Sequence, residues 1–584
     1  MGSISAISRA TDYLDIFTVG LDGHIYTAYW NPHSGGWQGF NRVGDLKVPR
    51  KATVTAIPHA YGAMYIFAVD ENGRVCGNQW NQHDPNSFDN GSWDGWQQIE
   101  GMTAPPGAYV GAGSSSPFSI DLFVCCADEK VWHIYYHPRR GGHNWRGPWA
   151  QLLPAGISVV PSSPVNAVSR SDGWLDIFLT DKDGRVMSAS YYYQGKKWNG
   201  WWNLLGGRAR PGAAVTACVR APDQLDIFVV NVNGNVCTAA WNPGQTDGWH
   251  GWWEVGSETK FPSGGWITAV SRSRDMLDIF GVDESGRTVT AWWSPGANAW
   301  SSFRQINNGG AHAGLPLTSV SRRQDYLDIF VVGTGGDKVH SAGWAPENTD
   351  WWHGWWGIGG DFSAAVTWGK YRLYLHTLAI HEIRSRYNDT LHISTAAAVG
   401  GRTPIKTYRY IGDQKPGTLE LGDGEVMDVE DDDVVVFSYA IVNNGHESRP
   451  VIERRLKQAL EVVVSKGSNA AVGIAKEAIA SAIGAAVGGA IAGGVIVPII
   501  GSALGALAGW LSSEGVGILF KDCDGPVASG VHAFKGSELR AKLANSKTGT
   551  EVLGKDRAPT SDVAGDFGCG APSDYEVFYA VRRA

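Results

Sequence analysis

Five arginines recur at one position of a repeating sequence: Arg9, Arg170, Arg220, Arg272 and Arg322. Four follow a serine (Ser8, Ser169, Ser271, Ser321) and one follows Val219. Later in the same five repeats come two aromatic positions. The first is Trp30, Tyr191, Trp241, Trp293 or Trp344; the second is Trp37, Trp198, Trp249, Trp300 or Trp352. A sugar ring offers an apolar C–H face and a rim of hydroxyls, so an open site for it needs a flat aromatic surface and fixed polar groups. Guanidinium and indole supply both, and these residues are the candidate sugar contacts. Packing competes at each position. The Arg is equally explained as the partner of a buried carboxylate. The first aromatic of each Trp-x-Gly-Trp/Phe segment suits packing as well as contact, and the last suits packing between repeats better.

The elements that must position these residues are repeated too. A block recurs at Leu14-Asp15-Ile16-Phe17, Met64-Tyr65-Ile66-Phe67, Ile120-Asp121-Leu122-Phe123, Leu175-Asp176-Ile177-Phe178, Leu225-Asp226-Ile227-Phe228, Leu277-Asp278-Ile279-Phe280 and Leu327-Asp328-Ile329-Phe330, at spacings of 50, 56, 55, 50, 52 and 50. A period near fifty residues, built from short β-type runs between Gly-rich turns, predicts a β-propeller rather than a helical solenoid. Seven copies predict seven blades, at 3–51, 52–107, 108–163, 164–212, 213–265, 266–316 and 317–364. Each unit parses into four strands, with an Asp-Gly-like pair such as Asp22-Gly23 or Asp183-Gly184 closing the hairpin between the second and third. The second strand is apolar almost throughout, as a strand between two neighbouring sheets should be. In a four-stranded meander the loops after strands one and three share one end, so Arg and Trp converge on one rim.

The Asp of the second strand is expected to be structural, bonding a turn or the repeated Arg. Units two and three carry Pro58-His59 and Ser115-Ser116 where the others carry Arg, so their pockets are expected to be degenerate. Replacing Arg272 and Trp293 together by alanine is expected to weaken sugar retention and spare the fold.

Segments such as Ala269-Val270-Ser271-Arg272, Leu277-Asp278-Ile279-Phe280 and Trp249-His250-Gly251-Trp252-Trp253 resemble the seven-bladed β-propeller lectins of the Photorhabdus-lectin-like type, and more distantly mushroom propeller lectins. The resemblance covers about residues 3–364. It implies binding of fucose-like, O-methylated or N-acetylhexosamine glycans on cell surfaces, in pockets between adjacent blades, with no catalysis and no cofactor. Repetition around a rigid ring then raises apparent affinity through effective concentration.

Residues 365–584 are a different object, with Trp368 and Trp510 against 25 Trp before them. Strand-like runs at 371–380, 390–397 and 434–441 and a helix at about 450–466 predict an α+β effector or oligomerisation domain, ending in an alternating strand through Tyr575, Val577, Tyr579 and Val581. The stretch 478–513 lacks charge and spaces Gly484 and Gly488, Gly489 and Gly493, and Gly501, Gly505 and Gly509 four apart, a glycine-zipper pattern. It predicts a helical hairpin, read equally as a membrane-inserting (pore-forming, toxin-like) module or as a buried Ala/Gly-rich pair. A second copy of the chain is the remaining partner considered.

Composition excludes other classes. The formal net charge of -8 is spread over both parts, 26 Lys+Arg and 32 Asp+Glu before residue 365 and 23 and 25 after, which argues against a nucleic-acid binder. Seven scattered cysteines form no CxxC pair, although Cys523 and Cys569 are candidates for one bridge. The chain opens without a secretory signal, which predicts a cytoplasmic protein or one released by another route. His381-Glu382 lacks the second His of a zinc-protease motif, there is no GxSxG elbow, and the acidic run 428–433 lacks EF-hand spacing. No catalytic or metal residue is assigned. A protein-interaction scaffold and a glycan-directed enzyme with catalysis in the C-terminal domain stay open as alternatives.

Overall fold

The structure, a computed structural model, describes residues 3–584 except 60–62, 85–86, 117–118, 137–144, 245–247, 334–337, 348–351, 361, 365–367, 386, 400–402, 423, 432, 445–447, 473–524, 545, 547–548 and 560–572. The chain divides into two compact units, Met1–Val366 and Thr367–Ala584.

Among the described residues the first unit holds seven antiparallel sheets, each a meander in sequence order. In the first, Ile4–Ala10, Tyr13–Val19, His24–Trp30 and Gln38–Lys47 pair in turn. Two sheets have five strands because the outer strand is broken, as where Ser87–Trp93 and Gln97–Thr103 both pair Arg74–Asp84. The innermost strands neighbour one another in cyclic order, and the last, Thr318–Val320, returns to Ile4–Ala10. The ring therefore closes without exchange of a strand: each sheet is contiguous in sequence. Asp12 N–H donating to Arg322 C=O and a bridge between Gly20 and Ala364 join its ends.

The repeated block makes the second strand of each sheet, and every Phe in it is essentially inaccessible (Phe17, Phe67, Phe123, Phe178, Phe228, Phe280, Phe330). Burial on both faces gives these strands their apolar character. The hairpins that follow are held by a side-chain acceptor at their start. Asp70 takes the N–H groups of Asn72 and Arg74, and Asp181, Asn231 and Asp283 do the same two and four residues on. Gly234 in one such turn has φ +75°, and a Cβ there would lie 2.5 Å from the Phe261 carbonyl. No other residue fits without displacement.

The second unit is a β-sandwich. One sheet runs Gly417–Glu420, Trp368–Glu382, Asp574–Arg583, Thr550–Pro559, with Gly424–Glu430 also on Trp368–Glu382; the other runs Ile405–Gln414, Asp389–Val399, Val434–Asn443, Gly525–Lys535. Side chains of both sheets, Leu373, Leu375, Phe437, Tyr439 and Val577 among them, form one core. The helix Arg449–Val472 lays Ile452, Leu456, Leu460 and Val464, spaced for one face, on Ala396, Ala398, Val434 and Val436 of the second sheet's outer side. The expected α+β domain is thus a sandwich with one long helix and a short one, Gly536–Ala544, among the described residues. The expected hairpin at 478–513 and the pair Cys523 and Cys569 lie outside those residues. Among the described residues no helix is long and apolar enough to cross a membrane. The acidic run serves the fold: Asp431 binds Arg540 at 2.7 Å, and Asp433 accepts the N–H of Glu430.

Candidate functional site

The site is built at the junction between consecutive sheets. The serine before each Arg turns the chain: Ser8, Ser169, Ser271 and Ser321 each donate to the carbonyl two residues on, at 2.9–3.1 Å. This curls the loop so that the Arg lies back over its own sheet. There it meets the Asp of the second strand, Arg9 with Asp15 at 2.7 Å, Arg170 with Asp176 at 2.9 Å, Arg272 with Asp278 at 2.7 Å and Arg322 with Asp328 at 2.7 Å. Arg220 stands 3.5 Å from Asp226 and donates instead to Gln224.

Four of the guanidinium groups then reach the following sheet. Arg9 lies over Trp80, Arg170 over Trp241, Arg272 over Trp344 and Arg322 over Trp30, with guanidinium-to-ring distances of 5.8, 5.3, 4.9 and 5.2 Å. These are cation–π contacts between neighbours in the ring. The second aromatic position turns its edge to the Phe of the preceding sheet at all seven junctions: Trp37 on Phe330, Trp93 on Phe17, Trp145 on Phe67, Trp198 on Phe123, Trp249 on Phe178, Trp300 on Phe228 and Trp352 on Phe280. The last aromatic of the segment donates its indole N–H to a backbone carbonyl of the preceding sheet, as Trp96 to Val43, Trp149 to Glu100, Trp201 to Leu152 and Trp252 to Leu204.

One unit's Arg and Trp therefore belong to different junctions. Arg322 meets Trp30 and the junction of Trp37, not a site with Trp352; Arg170 meets Trp241 and the junction of Trp249. Tyr191 and Trp198 fall where the preceding unit has no Arg, and there Asp121 binds His133 at 2.8 Å instead. Arg272 stacks on Trp344, so the double replacement of Arg272 and Trp293 takes one wall from each of two separate junctions. Trp300 shares a junction with Phe228, and by the same register Trp293 with Arg220.

Two sets of residues escaped sequence reasoning. Asp12, Asp223, Asp275 and Asp325, all at positive φ (62, 59, 64 and 62°), donate their N–H groups to the Arg carbonyls of the preceding sheet. Asp223 also holds Arg170 at 3.0 Å. Their signal is an acid three residues after four of the Arg. The second set is Trp202, Trp253 and Trp356, which are 51, 51 and 55 % exposed. They stand opposite Ser188, Thr238 and Ser341 of the third strand, one register position in three sheets. Asn41 and Arg304 hold that position in the first and sixth sheets. The Trp-Trp doublet was the signal, since adjacent residues on a strand face opposite ways.

The junction of the seventh and first sheets holds an open cavity. A cavity of ≈ 440 Å³ there is lined by Arg322, Asp328, Trp30, Trp37, Trp344 and Trp356 among others. Its Arg322 side chain is 20 % exposed against 3 % for Arg9. Between the second and third sheets Tyr65 replaces the Asp, and Tyr65, Tyr136 and Trp145 leave only ≈ 120 Å³. The buried carboxylates of Asp176, Asp226, Asp278 and Asp328 each keep one oxygen, Oδ2, without a hydrogen-bond partner, and the indole N–H groups of Trp80 and Trp241 are likewise unsatisfied. Burial outweighs the attraction of the Arg and pushes these carboxyls up, Asp176 and Asp278 to about 7, Asp226 and Asp328 to about 6. Orphaned buried acceptors and donors beside a cavity are open valences for a ligand rich in hydroxyls.

A closed ring of antiparallel meander sheets, each packed on its neighbours, defines a β-propeller. Comparison with protein-family models gives no match, and neither does comparison with curated proteins. Among solved structures the chain is similar to the BP39L lectin from Burkholderia pseudomallei, at 21% identity and a TM-score of 0.53 over 61% of this chain and 99% of that one. It is more distantly similar to a triple-arginine mutant of AofleA from Arthrobotrys oligospora (14%, 0.39, covering 53% and 87%) and to a six-bladed fucose-recognising lectin from Aleuria aurantia (14%, 0.36, covering 54% and 98%). The first likeness shows the propeller fold; the other two carry no argument.

Proposed function

We propose that residues 3–364 are a seven-bladed, multivalent lectin, related in kind to the Photorhabdus-lectin-like group, that seats glycans at its blade junctions. The observation that carries this reading is the cavity between the seventh and first sheets, where an unpaired oxygen of Asp328 sits with the Arg322 guanidinium among four indoles. The orphan oxygen accepts a sugar hydroxyl, the guanidinium donates to a second oxygen, and an indole covers the C–H face. Fucose-like, O-methylated and N-acetylhexosamine glycans are the ligands in view. A glycan array with the full chain tests it: signal on any of these classes, reduced in Arg322→Ala, supports the lectin. Silence across all of them favours a protein-binding scaffold, and a cleaved glycan favours an enzyme.

For the second unit the proposal is a cargo delivered by glycan capture, with the uncharged stretch 478–513 as the membrane-active part; its sequence is the support. Dye release from glycolipid-bearing liposomes by the full chain, and none by residues 1–364, is the expected result. Leakage from neither sinks it.

A further inference from the structure

The seam between the second and third sheets repeats the geometry of the seventh–first seam with different chemistry. Tyr65 stands where Asp328 does, Gln79 where Gly343 does and Tyr136 where Trp30 does. In the outer strand Asp94 takes the place of His353, and Gln97 that of Trp356. The Arg is gone, with His59 at its position. One further change makes room. The other six sheets set Ser, Thr or His opposite the strand-two Phe, and the second sets Gly77 there. A Cβ at Gly77 would lie 3.0 Å from the Phe67 ring. Its bare backbone lines a hollow of ≈ 120 Å³.

Rings make the wall of this hollow. Tyr65, Phe67, Trp145 and Tyr136 close a cycle in which each ring meets the next, with centroids 6.0, 5.8, 5.5 and 6.0 Å apart. Phe67 is wholly buried and backs the wall, while Tyr65, Tyr136 and Trp145 keep some accessible surface. The Tyr65 hydroxyl donates to the Gln79 carbonyl oxygen, and the Gln79 amide donates to Asn81 at 2.6 Å, so Gln79 is already engaged. Among the described residues the lining holds one carboxylate, Asp94, and no Lys, Arg or His. Asp94 is exposed at the rim, held there by its N–H donating to the Gln79 C=O, and its carboxylate makes no ion pair among the described residues. Aromatic faces attract an organic cation, and a nearby carboxylate adds to the attraction. A methylated ammonium packs its methyl groups on rings and asks for no hydrogen-bond acceptors, of which this wall has few to spare. The volume agrees: ≈ 120 Å³, against ≈ 440 Å³ at the seventh–first seam, suits a compact head group rather than a pyranose with its hydroxyls.

We propose that the second–third seam is an aromatic cage for a methylated ammonium group, a binding site that differs in chemistry from the sugar seats and does not depend on them. Calorimetric titration of the full chain with choline tests it, with 3,3-dimethylbutan-1-ol as the neutral isostere and ammonium chloride as the unmethylated cation. One saturable site per chain is expected for choline, at least about tenfold tighter than for the alcohol or for ammonium. Asp94→Asn should weaken choline by about threefold to tenfold and leave the alcohol unchanged. Gly77→Ser, which restores the kind of side chain the other sheets carry, should block choline and alcohol together. The proposal is overturned by no choline binding at millimolar concentration, by equal affinity for choline and the alcohol, or by both variants melting and binding choline like the parent. Ammonium binding as tightly as choline also overturns it, since that leaves only an ion at Asp94. If Gly77→Ser fails to fold, Asp94→Asn and the alcohol decide between the outcomes.

Discussion

At the scale of single residues, the junction is a set of charges and rings that satisfy each other incompletely. The raised carboxyls set a pH dependence. An acid whose pKa is higher folded than unfolded holds its proton in the native state after the unfolded chain has released it, so stability falls as pH rises through that window. For Asp176, Asp226, Asp278 and Asp328 the window runs from the ordinary carboxylate range up to about 6–7. The thermal midpoint should therefore be lower at pH 8 than at pH 5, and Asp278→Asn should shallow that slope; a steeper slope in the variant would contradict it. At the open junction, Trp356→Ala should weaken sugar binding without lowering the midpoint, because its ring is already 55 % exposed. Sequence reasoning reached the Arg and most of the rings because each recurs with the period. It did not reach Trp356 or the positive-φ aspartates. Exposure depends on which way a bulged strand turns its pleat, and a backbone N–H has no residue type to betray it.

Elements were the most legible level. Leu-Asp-Ile-Phe announced a doubly buried strand, and Asp-Gly-like pairs announced hairpins, because both answer to local sterics. What the sequence could not disclose was partnership across sheets: a repeat names equivalent positions but not which neighbour each one touches. The energetics of that partnership are testable. Trp252→Phe removes the indole N–H that bonds Leu204 C=O at 3.0 Å together with part of the ring volume packed on the core, and should cost about 1–3 kcal/mol in chemical denaturation. Gly234→Ala forces a methyl against the Phe261 carbonyl at positive φ and should cost about 2 kcal/mol or more. A neutral result at Gly234 would show that the turn relaxes. In the second unit the strands were visible in outline, yet the sandwich was not, since its helix lies outside a sheet rather than within the core and a list of elements does not order layers.

The whole first unit behaves as a hoop. Its ends are fastened by Arg322 and Arg323 to Asp12, with the Arg323 contact at 3.2 Å, rather than by a shared strand. Asp12→Ala should loosen the seventh–first seam selectively, so hydrogen exchange should quicken at 5–10 and 318–322 before the other inner strands, and uniform protection would refute that. One consequence of the proposed seats straddling seams is combinatorial. A lone stave can hold nothing, and a row of staves has one fewer seam than members, while a hoop has as many seams as staves. Moving the termini to another link by circular permutation should leave the valence untouched. Excising one repeat should abolish two native seams and create a mismatched one in their place.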